Sequence, residues 1–375
     1  MLDPLPLAQA LIRCASVTPA DAGALDVLEA ALRGLGFTTQ RLRFGGPPDG
    51  PVDNLFARAG TGAPHFAFAG HSDVVPAGAG WSVDPFAAIV DQGVLIGRGA
   101  NDMKGALAAM VAAAGAHVAR GAPGSLSFII TGDEEGPATF GTDPLLDWMV
   151  ANGHRPDHCL VGEPTSARVL GDMVKIGRRG SLNCWVTVNG AQGHVAYPAR
   201  ADNPVTRLVR IADRLKARVL DDGNDWFDAS NLEVTDLSVG NPTTNLIPAQ
   251  AALRLNIRFN SEHRGSDLQR WIEGVVAEEA PLAEVVTRIS GEAFITEPCG
   301  FTALVADAVA AVTGETPVLS TTGGTSDARF IRRLCPVVEF GLPGATMHKV
   351  DESVSIADLS ALAATYDLIL RRYFA

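Results

Sequence analysis

Short apolar runs alternate with amphipathic stretches in the first 170 residues of the chain. Three of the runs are typical of buried strands: 65–69, 126–130 and 159–161. Apolar residues at helical spacing predict helices over 25–35 and 103–120, and the second helix, rich in alanine, ends before Gly121 and Pro123. Strands that alternate with helices in this way predict an α/β domain.

The order of elements changes in the middle of the chain. Six elements follow one another there as β-α-β-β-α-β: strand 182–188, helix 205–220, strands 232–239 and 251–259, helix 268–280 and strand 285–289. This order predicts a ferredoxin-like α+β two-layer domain. Apolar and polar residues alternate through the run 251–259, so one face of that strand is predicted to be buried.

The alternation of helix and strand returns after residue 292. Helix 303–312, the apolar run 336–340 and a final helix 356–373 follow. Since candidate functional residues lie both before and after the middle region, we expect a catalytic domain of residues 1–179 and 293–375. An inserted domain of residues 180–292 interrupts it.

Composition excludes several classes of protein. The chain has 375 residues, 47% of them hydrophobic and 19% charged, which is ordinary for a globular enzyme with two cores. No apolar stretch is long enough to span a bilayer and the first residues lack a signal-peptide pattern, so we expect a cytoplasmic protein without a membrane partner. A net charge of −12 and the absence of Lys/Arg runs argue against nucleic-acid binding. Five scattered cysteines form no disulfide or zinc-knuckle pattern.

Acids and histidines recur just after the predicted strands or at the start of a helix. The set comprises His71, Asp73, Asp102, Glu134, Glu135, Glu163 and, far downstream, His348. Strand ends at one edge of an α/β sheet are where sites form, and these side chains suit a pair of Zn²⁺ or similar ions. Asp102, in a loop leading into a helix, is the candidate to bridge the ions. The Asp73 carboxylate is expected to accept the second imidazole N–H of His71.

The adjacent Glu134 and Glu135 are expected to point in different directions. One would bind a metal ion, and the other would stay free as a general base beside the attacking water, which predicts hydrolysis of an amide bond. Any one of these residues alone is more often a surface carboxylate, a helix cap or a hydrogen-bonded histidine. Their repetition at successive strand ends favours a site. We find no nucleophile elbow, His-Glu-x-x-His motif or phosphate loop.

At these residues the chain resembles the dinuclear zinc amidohydrolase and exopeptidase family, which includes aminoacylases, acetylornithine deacetylase and glutamate carboxypeptidases. The segments that carry the resemblance are 70–76, 81–86, 97–105 and 133–136. The resemblance implies a zinc-exopeptidase-like domain with a central mixed sheet flanked by helices, and two Zn²⁺ per subunit for which Co²⁺ can substitute. In such enzymes His71 and Glu163 would bind one ion and Glu135 and His348 the other. Asp102 would bridge, and Glu134 would be the base.

Further segments look like the desuccinylases of this family in particular: 177–181, 193–198, 201–204, 244–248 and 323–330. Their substrate, N-succinyl-LL-2,6-diaminopimelate, carries several carboxylates. Arg178 and Arg258 suit bidentate pairing with carboxylates. The remaining residues expected to bind substrate are Ser181, Tyr197, Asn245, Gly324 and Thr325, with the glycine-rich run around Gly324 offering backbone N–H groups. That run also fits a plain turn.

The resemblance also implies a homodimer in which the inserted domain pairs the subunits and acts as a lid. His194 and Asn245 would reach the site from the partner subunit, with His194 helping to hold the oxyanion. On the residues alone, His194 is more typical of a hydrogen-bonded loop histidine than of a catalytic one.

One position departs from the desuccinylase pattern. The asparagine usual four residues before the last metal histidine is Gly344 here, and we expect the backbone N–H of Gly344 to take over its contact with substrate. Two alternatives stay open at this point. One is another amidohydrolase of the family, such as an acetylornithine deacetylase, and the other is a non-catalytic dimeric binding protein of the same fold.

Overall fold

The computed structural model of the chain describes residues 2–375. The helices are α1 (Leu5–Arg13), α2 (Ala24–Gly34), α3 (Lys104–Ala119), α4 (Thr142–Ala151), α5 (Pro204–Ala217), α6 (Gly265–Glu279), α7 (Gly300–Thr313), α8 (Ala328–Ile331) and α9 (Ile356–Tyr373). Short 3₁₀ turns occur at Pro198–Arg200 and Gly344–Thr346.

The strands up to the middle of the chain are β1 (Thr38–Phe44), β2 (Val52–Thr61), β3 (His65–His71), β4 (Ile89–Asp91), β5 (Val94–Ile96), β6 (Gly124–Thr131), β7 (His158–Val161), β8 (Met173–Lys175), β9 (Gly177–Arg178), β10 (Gly180–Asn189) and β11 (Gly193–His194). Those that follow are β12 (Asn231–Ser238), β13 (Leu246–Ile247), β14 (Gln250–Phe259), β15 (Glu284–Gly291), β16 (Phe294–Ile295), β17 (Val318–Ser320), β18 (Val337–Glu339) and β19 (Ser353–Ser355).

The described residues divide into two compact units. The first unit contains the chain up to Ile176 together with Thr296–Ser320 and Ser326–Ala375. The second contains Gly177–Ile295 and the short segment Thr321–Thr325. The boundaries expected from the sequence, 180 and 292, lie within the second unit close to its two main limits, and Thr321–Thr325 was expected in the catalytic domain.

The first unit is built on a mixed sheet with the strand order β1-β2-β6-β3-β7-β18-β8-β17. Its central strands β6, β3, β7 and β18 run parallel to one another. The pairings of β1 with β2, of β2 with β6 and of β18 with β8 are antiparallel. This confirms the expected α/β class. The alanine-rich α3 is buried along most of its length, since its small side chains leave no polar face to direct toward water.

The second unit contains a four-stranded antiparallel sheet with the order β12-β14-β10-β15. Helices α5 and α6 contribute Leu208, Ile211 and Ile272 to its core. The predicted alternation in β14 is confirmed, because Leu253, Leu255, Ile257 and Phe259 are buried while Arg254 is exposed. This arrangement is the ferredoxin-like one that the order of elements predicted.

Among residues 2–375, no helix combines the length and the apolar character needed to cross a bilayer. The five cysteines of this part of the chain are free thiols, and Cys159, Cys184 and Cys335 are buried.

Candidate active site

Three parallel strands of the first unit bring candidate ligands to one edge of the sheet. His71 is the last residue of β3, Glu134 and Glu135 follow β6, and Glu163 follows β7. Since β6, β3 and β7 are parallel neighbours, their carboxyl ends share one edge. These residues therefore lie at strand ends, as the apolar runs in the sequence predicted.

Asp102 reaches the same place from the loop that precedes α3. Gly99 in this loop has φ +86°, a conformation that side-chain-bearing residues rarely adopt, and a Cβ there would lie 2.8 Å from Val74. The glycine thus allows the tight turn that brings Asp102 to the strand edge. Asp102 is 5% exposed.

The two oxygens of Asp102 face two different histidines. Oδ1 lies 3.1 Å from His71 Nε2, and Oδ2 lies 3.1 Å from His348 Nε2. His71 Nε2 is also 3.8 Å from Glu163 Oε1, and His348 Nε2 is 2.9 Å from Glu135 Oε1. Two groups of three donors therefore share Asp102, each with its ligand atoms within 4.8 Å of one another.

The chemistry of these donors fits a cation in each group. His71 Nδ1 lies 2.9 Å from the backbone carbonyl of Asp73 and must carry a proton to donate to it. In the neutral ring Nε2 is then a lone-pair acceptor that faces carboxylate oxygens, which are also acceptors. A proton or a metal ion has to lie between them, and carboxylate with imidazole is a usual donor set for zinc.

The pKa values reflect the same surplus of negative charge. Burial alone would lower the pKa of His71, but the Asp102 hydrogen bond and the charges of Asp102 and Glu163 raise it well above its usual value. Hydrogen bonds to Asp102 and Glu135 raise the pKa of His348 to about 10. In both cases the pKa is raised by acids whose negative charge a bound metal ion would also compensate.

Asp73 acts differently from the sequence-based expectation. Its backbone carbonyl, rather than its carboxylate, accepts the His71 hydrogen bond, since the carboxylate Oδ1 is 3.6 Å from Nδ1. The carboxylate instead accepts the backbone N–H groups of Glu134 at 3.3 Å and Glu135 at 3.1 Å. Burial, opposed by the charge of His71, raises its pKa to about 6. Asp73 thus fixes both a histidine and the loop after β6.

Glu134 lies within the same cluster, and its contacts differ from those of Glu135. Its carboxylate can join His71 and Glu135 in a third group of donor atoms, while Glu135 contacts His348. Burial, followed by the nearby charge of Glu163, raises the pKa of Glu134 well above its usual value. A half-buried carboxylate with a raised pKa suits the exchange of protons with a reactant.

The residues expected to bind substrate lie in the second unit. Arg178 is 7% exposed and donates from Nη1 to the backbone carbonyl of Gly324 at 3.1 Å. Thr325 follows Gly324 in the segment Thr321–Thr325 of that unit. Ser181 and Arg258 are direct register partners across β10 and β14. Among the residues expected to bind substrate, the structure therefore brings Arg178 to Gly324 and Ser181 to Arg258.

A second group in the same unit contains His194, Tyr197 and Asn245, all of them exposed. The rings of His194 and Tyr197 are 5.8 Å apart, and Val195 N donates to the backbone carbonyl of Asn245 at 3.1 Å. They lie on the ribbon of β11 and β13 and the turn after it. His194 Nδ1 accepts the backbone N–H of Ala196, so the ring is oriented locally.

The structure contradicts the expectation for Gly344. Its backbone N–H donates to the carbonyl of Ser166 at 2.9 Å and is engaged within the protein. It therefore does not replace the missing asparagine amide.

Sequence reasoning missed Glu352 and Arg98. Glu352 is fully buried and accepts hydrogen bonds from the loop that carries Asp102, and Arg98 Nη1 is 2.6 Å from its Oε2. The only local signal was a carboxylate four residues after His348, which resembles a surface acid when read without the fold.

The fold and the donor set define a metal-dependent hydrolase, and comparison with known proteins agrees. Residues 67–372 match the sequence profile described as peptidase family M20/M25/M40. The chain belongs to this family.

Its relatives include succinyl-diaminopimelate desuccinylases. The protein of that name from Rhizorhabdus wittichii is 62% identical over 378 residues, covering 100% of this chain and 99% of its own. The one from Caulobacter vibrioides strain NA1000 is 58% identical, covering 100% and 97%. The resemblance carried by the motifs is thereby confirmed.

Solved structures share the fold at low sequence identity. The M20 family metallo-carboxypeptidase Sso-CP2 from Sulfolobus solfataricus superposes with a TM-score of 0.83 at 14% identity over 100% of both chains. The YXEP protein of Bacillus subtilis, described as a dinuclear metal binding peptidase, gives 0.70 at 17% identity over 99% and 97% of the two chains.

Proposed function

We propose that this enzyme hydrolyses the amide bond of N-succinyl-LL-2,6-diaminopimelate to succinate and LL-2,6-diaminopimelate, a step of lysine and diaminopimelate biosynthesis. The observation that carries the proposal is the pair of donor groups that share Asp102. The identity of 62% to a desuccinylase over the whole chain favours the succinyl substrate over N-acetylornithine. An intact set of donors together with Glu134 argues against a protein that only binds.

His71, Glu163 and Asp102 would hold one Zn²⁺ or Co²⁺, and Asp102, Glu135 and His348 the other. Bound there, two such ions polarise an amide carbonyl and lower the pKa of a water molecule. Glu134 takes the proton from the attacking water and then delivers it to the nitrogen of the leaving amine. Asp73 keeps Glu134 and Glu135 in place through their backbone N–H groups.

The carboxylates of the substrate need cationic partners, and the second unit offers them. Within residues 2–375, Arg258 Nη1 is buried without a hydrogen-bond partner, and burial followed by the charge of Arg179 lowers the pKa of Arg258. A guanidinium in this condition is stabilised by an incoming carboxylate. Arg178, Ser181, Tyr197, Asn245, Gly324 and Thr325 supply the remaining contacts in this proposal.

A cytoplasmic homodimer is part of the same proposal, with the second unit pairing the subunits and contributing His194 and Asn245. The outer face of its sheet supports this role, since it exposes Trp185 and its register partner Val286, 40% and 61% exposed. Apolar side chains exposed side by side mark surfaces that other chains cover.

The test is an assay of purified metal-free protein on N-succinyl-LL-2,6-diaminopimelate and, in parallel, on N-acetylornithine during titration with Zn²⁺. We expect turnover of the succinyl compound to appear and to saturate at about two equivalents per chain, as a two-metal mechanism requires. Faster turnover of the acetyl compound would assign another substrate. Full activity with metal removed would exclude the mechanism.

A further inference from the structure

Glu352 is a fully buried carboxylate that lies four residues after His348. It accepts four hydrogen bonds from a single stretch of chain, the loop that ends at Asp102. Oε1 accepts the backbone N–H groups of Asn101 at 2.9 Å and Asp102 at 3.0 Å. Oε2 accepts Arg98 Nη1 at 2.6 Å and the backbone N–H of Gly99 at 3.1 Å. The Glu352 side chain thus accepts hydrogen bonds from four residues of this loop.

Arg98 compensates the charge of Glu352 and is itself held on its other side. It is 2% exposed, and its Nη2 donates to the backbone carbonyl of Ala77 at 3.1 Å. The guanidinium carbon lies 5.1 Å from the centre of the Trp81 ring. A buried carboxylate with a paired guanidinium and satisfied oxygens has one stable geometry, because any movement would leave a buried charge unpaired.

The consequence for the donor groups follows from chain connectivity. One of the four hydrogen bonds comes from the backbone N–H of Asp102 itself, and His348 lies four residues before Glu352 in the chain. The two segments are also joined where Asn101 Nδ2 donates to the carbonyl of Pro343 at 2.6 Å. Asp102 and His348, whose side chains contact each other, are therefore anchored through the same carboxylate.

We propose that Glu352 is a positioning residue that fixes Asp102 between His71 and His348. It thereby sets the affinity for the second of the two cations, the one held by Asp102, Glu135 and His348. This inference rests on the dinuclear site of the proposed function. Glu352 is not a ligand in this proposal, since all four of its close contacts are to the loop and to Arg98. Residues in this role typically change metal affinity 10- to 100-fold when they are replaced.

Glu352→Gln is the most direct test. The amide keeps the size of the side chain but converts one oxygen to NH₂, which faces two donors and cannot accept from them. We expect calorimetric titration of the metal-free variant with Zn²⁺ to show a second equivalent bound about 10- to 100-fold more weakly than in the wild type. The visible absorption of the Co²⁺-loaded variant should change as well, because the geometry around the shared carboxylate changes.

Asp172→Asn is the matched control. Asp172 accepts the backbone N–H groups of Ala167, Arg168 and Val169, so its replacement also removes loop hydrogen bonds from the first unit. We expect it to lower the melting temperature while leaving both Zn²⁺ affinities unchanged. Unchanged affinities in Glu352→Gln, with only a lower melting temperature, would overturn the proposal.

Arg98→Lys covers the case in which Glu352→Gln does not fold. Lysine retains the charge but loses the planar guanidinium that bridges Glu352 and the backbone carbonyl of Ala77. We expect a several-fold loss of affinity for the second equivalent, and wild-type affinities in this variant would also contradict the proposal. Failure of the wild type to bind any Zn²⁺ would instead refute the dinuclear site, so the two failures are distinguishable.

Discussion

At the scale of single residues, the proposed function divides two tasks between the adjacent Glu134 and Glu135. The backbone N–H of each donates to a different carboxylate oxygen of Asp73. Glu135 Oε1 contacts His348 at 2.9 Å, whereas the Glu134 carboxylate is half-buried near the charge of Glu163 and has a raised pKa. The same chemical group can therefore serve as a ligand at one position and exchange protons at the next.

Glu134→Gln tests this division. The amide occupies the same volume but cannot take a proton from water, so we expect kcat to fall by about 10²- to 10⁴-fold while two metal equivalents remain bound. Steady-state kinetics together with metal analysis of the purified variant measure both quantities. Glu135→Gln is the matched control. Because Glu135 is a proposed ligand, this variant should bind metal more weakly than the wild type, whereas Glu134→Gln should not. Wild-type turnover in Glu134→Gln would remove Glu134 from the mechanism.

At the scale of secondary-structure elements, strongly patterned segments were predictable. The bounds of α9 are those expected. The strands that end at His71 or just before Glu134 and Glu163 were found because mainly apolar runs indicate buried parallel strands. Strand β2 was missed, because Asn54 and Arg58 interrupt its apolar pattern. In the structure each donates to a distant partner: Asn54 Nδ2 to the carbonyl of Phe140 and Arg58 Nη2 to Ser125 Oγ.

The contacts that complete the site were not predictable from local pattern. Glu352 reaches donors about 250 positions away in the chain, and nothing near it in sequence indicates that its carboxylate is buried. Gly344 is the opposite case. The sequence suggested that its backbone N–H could bind substrate, but in the structure this group donates to the carbonyl of Ser166. Residue type and spacing indicate candidate ligands, whereas hydrogen-bond partners across the fold require the structure.

The connection between α5 and β12 depends on Asp221. Its carboxylate accepts the backbone N–H of Gly223 at 2.8 Å, that of Ser230 at 3.1 Å and Asn260 Nδ2 at 2.6 Å. Burial alone would raise the pKa of Asp221, but these hydrogen bonds outweigh it and lower the pKa to about 2. Because the folded pKa lies below the unfolded one, the stabilisation is present above about pH 4 and is lost as the pH falls toward 2.

We therefore expect Asp221→Ala to lower the free energy of opening of this connection by about 1–3 kcal/mol at pH 7, since buried donors lose their acceptor. Amide hydrogen exchange of residues 221–231 measures this, and the difference from the wild type should shrink below pH 4. Asp222→Ala, at the exposed neighbouring position, is the control and should change protection by less than about 0.5 kcal/mol. Equal protection in both variants would refute the role of Asp221.

At the scale of the whole molecule, the donor groups exist only when the chain is folded. His71 and His348 are separated by 277 positions (348 − 71), yet both contact the same carboxylate of Asp102. An unfolded chain has no such arrangement, so metal ions bind the folded state preferentially and stabilise it. In their absence the folded protein keeps its acids close together, which opposes folding in a chain whose net charge is already −12.

Metal removal should therefore lower the thermal unfolding midpoint of the full chain. Free Zn²⁺ at about 100 times its dissociation constant adds roughly 2.7 kcal/mol per site to the free energy of unfolding, so the midpoint should rise when Zn²⁺ is returned to chelator-treated protein. Differential scanning calorimetry across a Zn²⁺ series measures the shift. Glu134→Gln should keep the full response, and His348→Ala should lose part of it because one donor group is then incomplete. A midpoint that does not respond to Zn²⁺ in the wild type would mean that the five proposed ligands hold no metal: His71, Asp102, Glu135, Glu163 and His348.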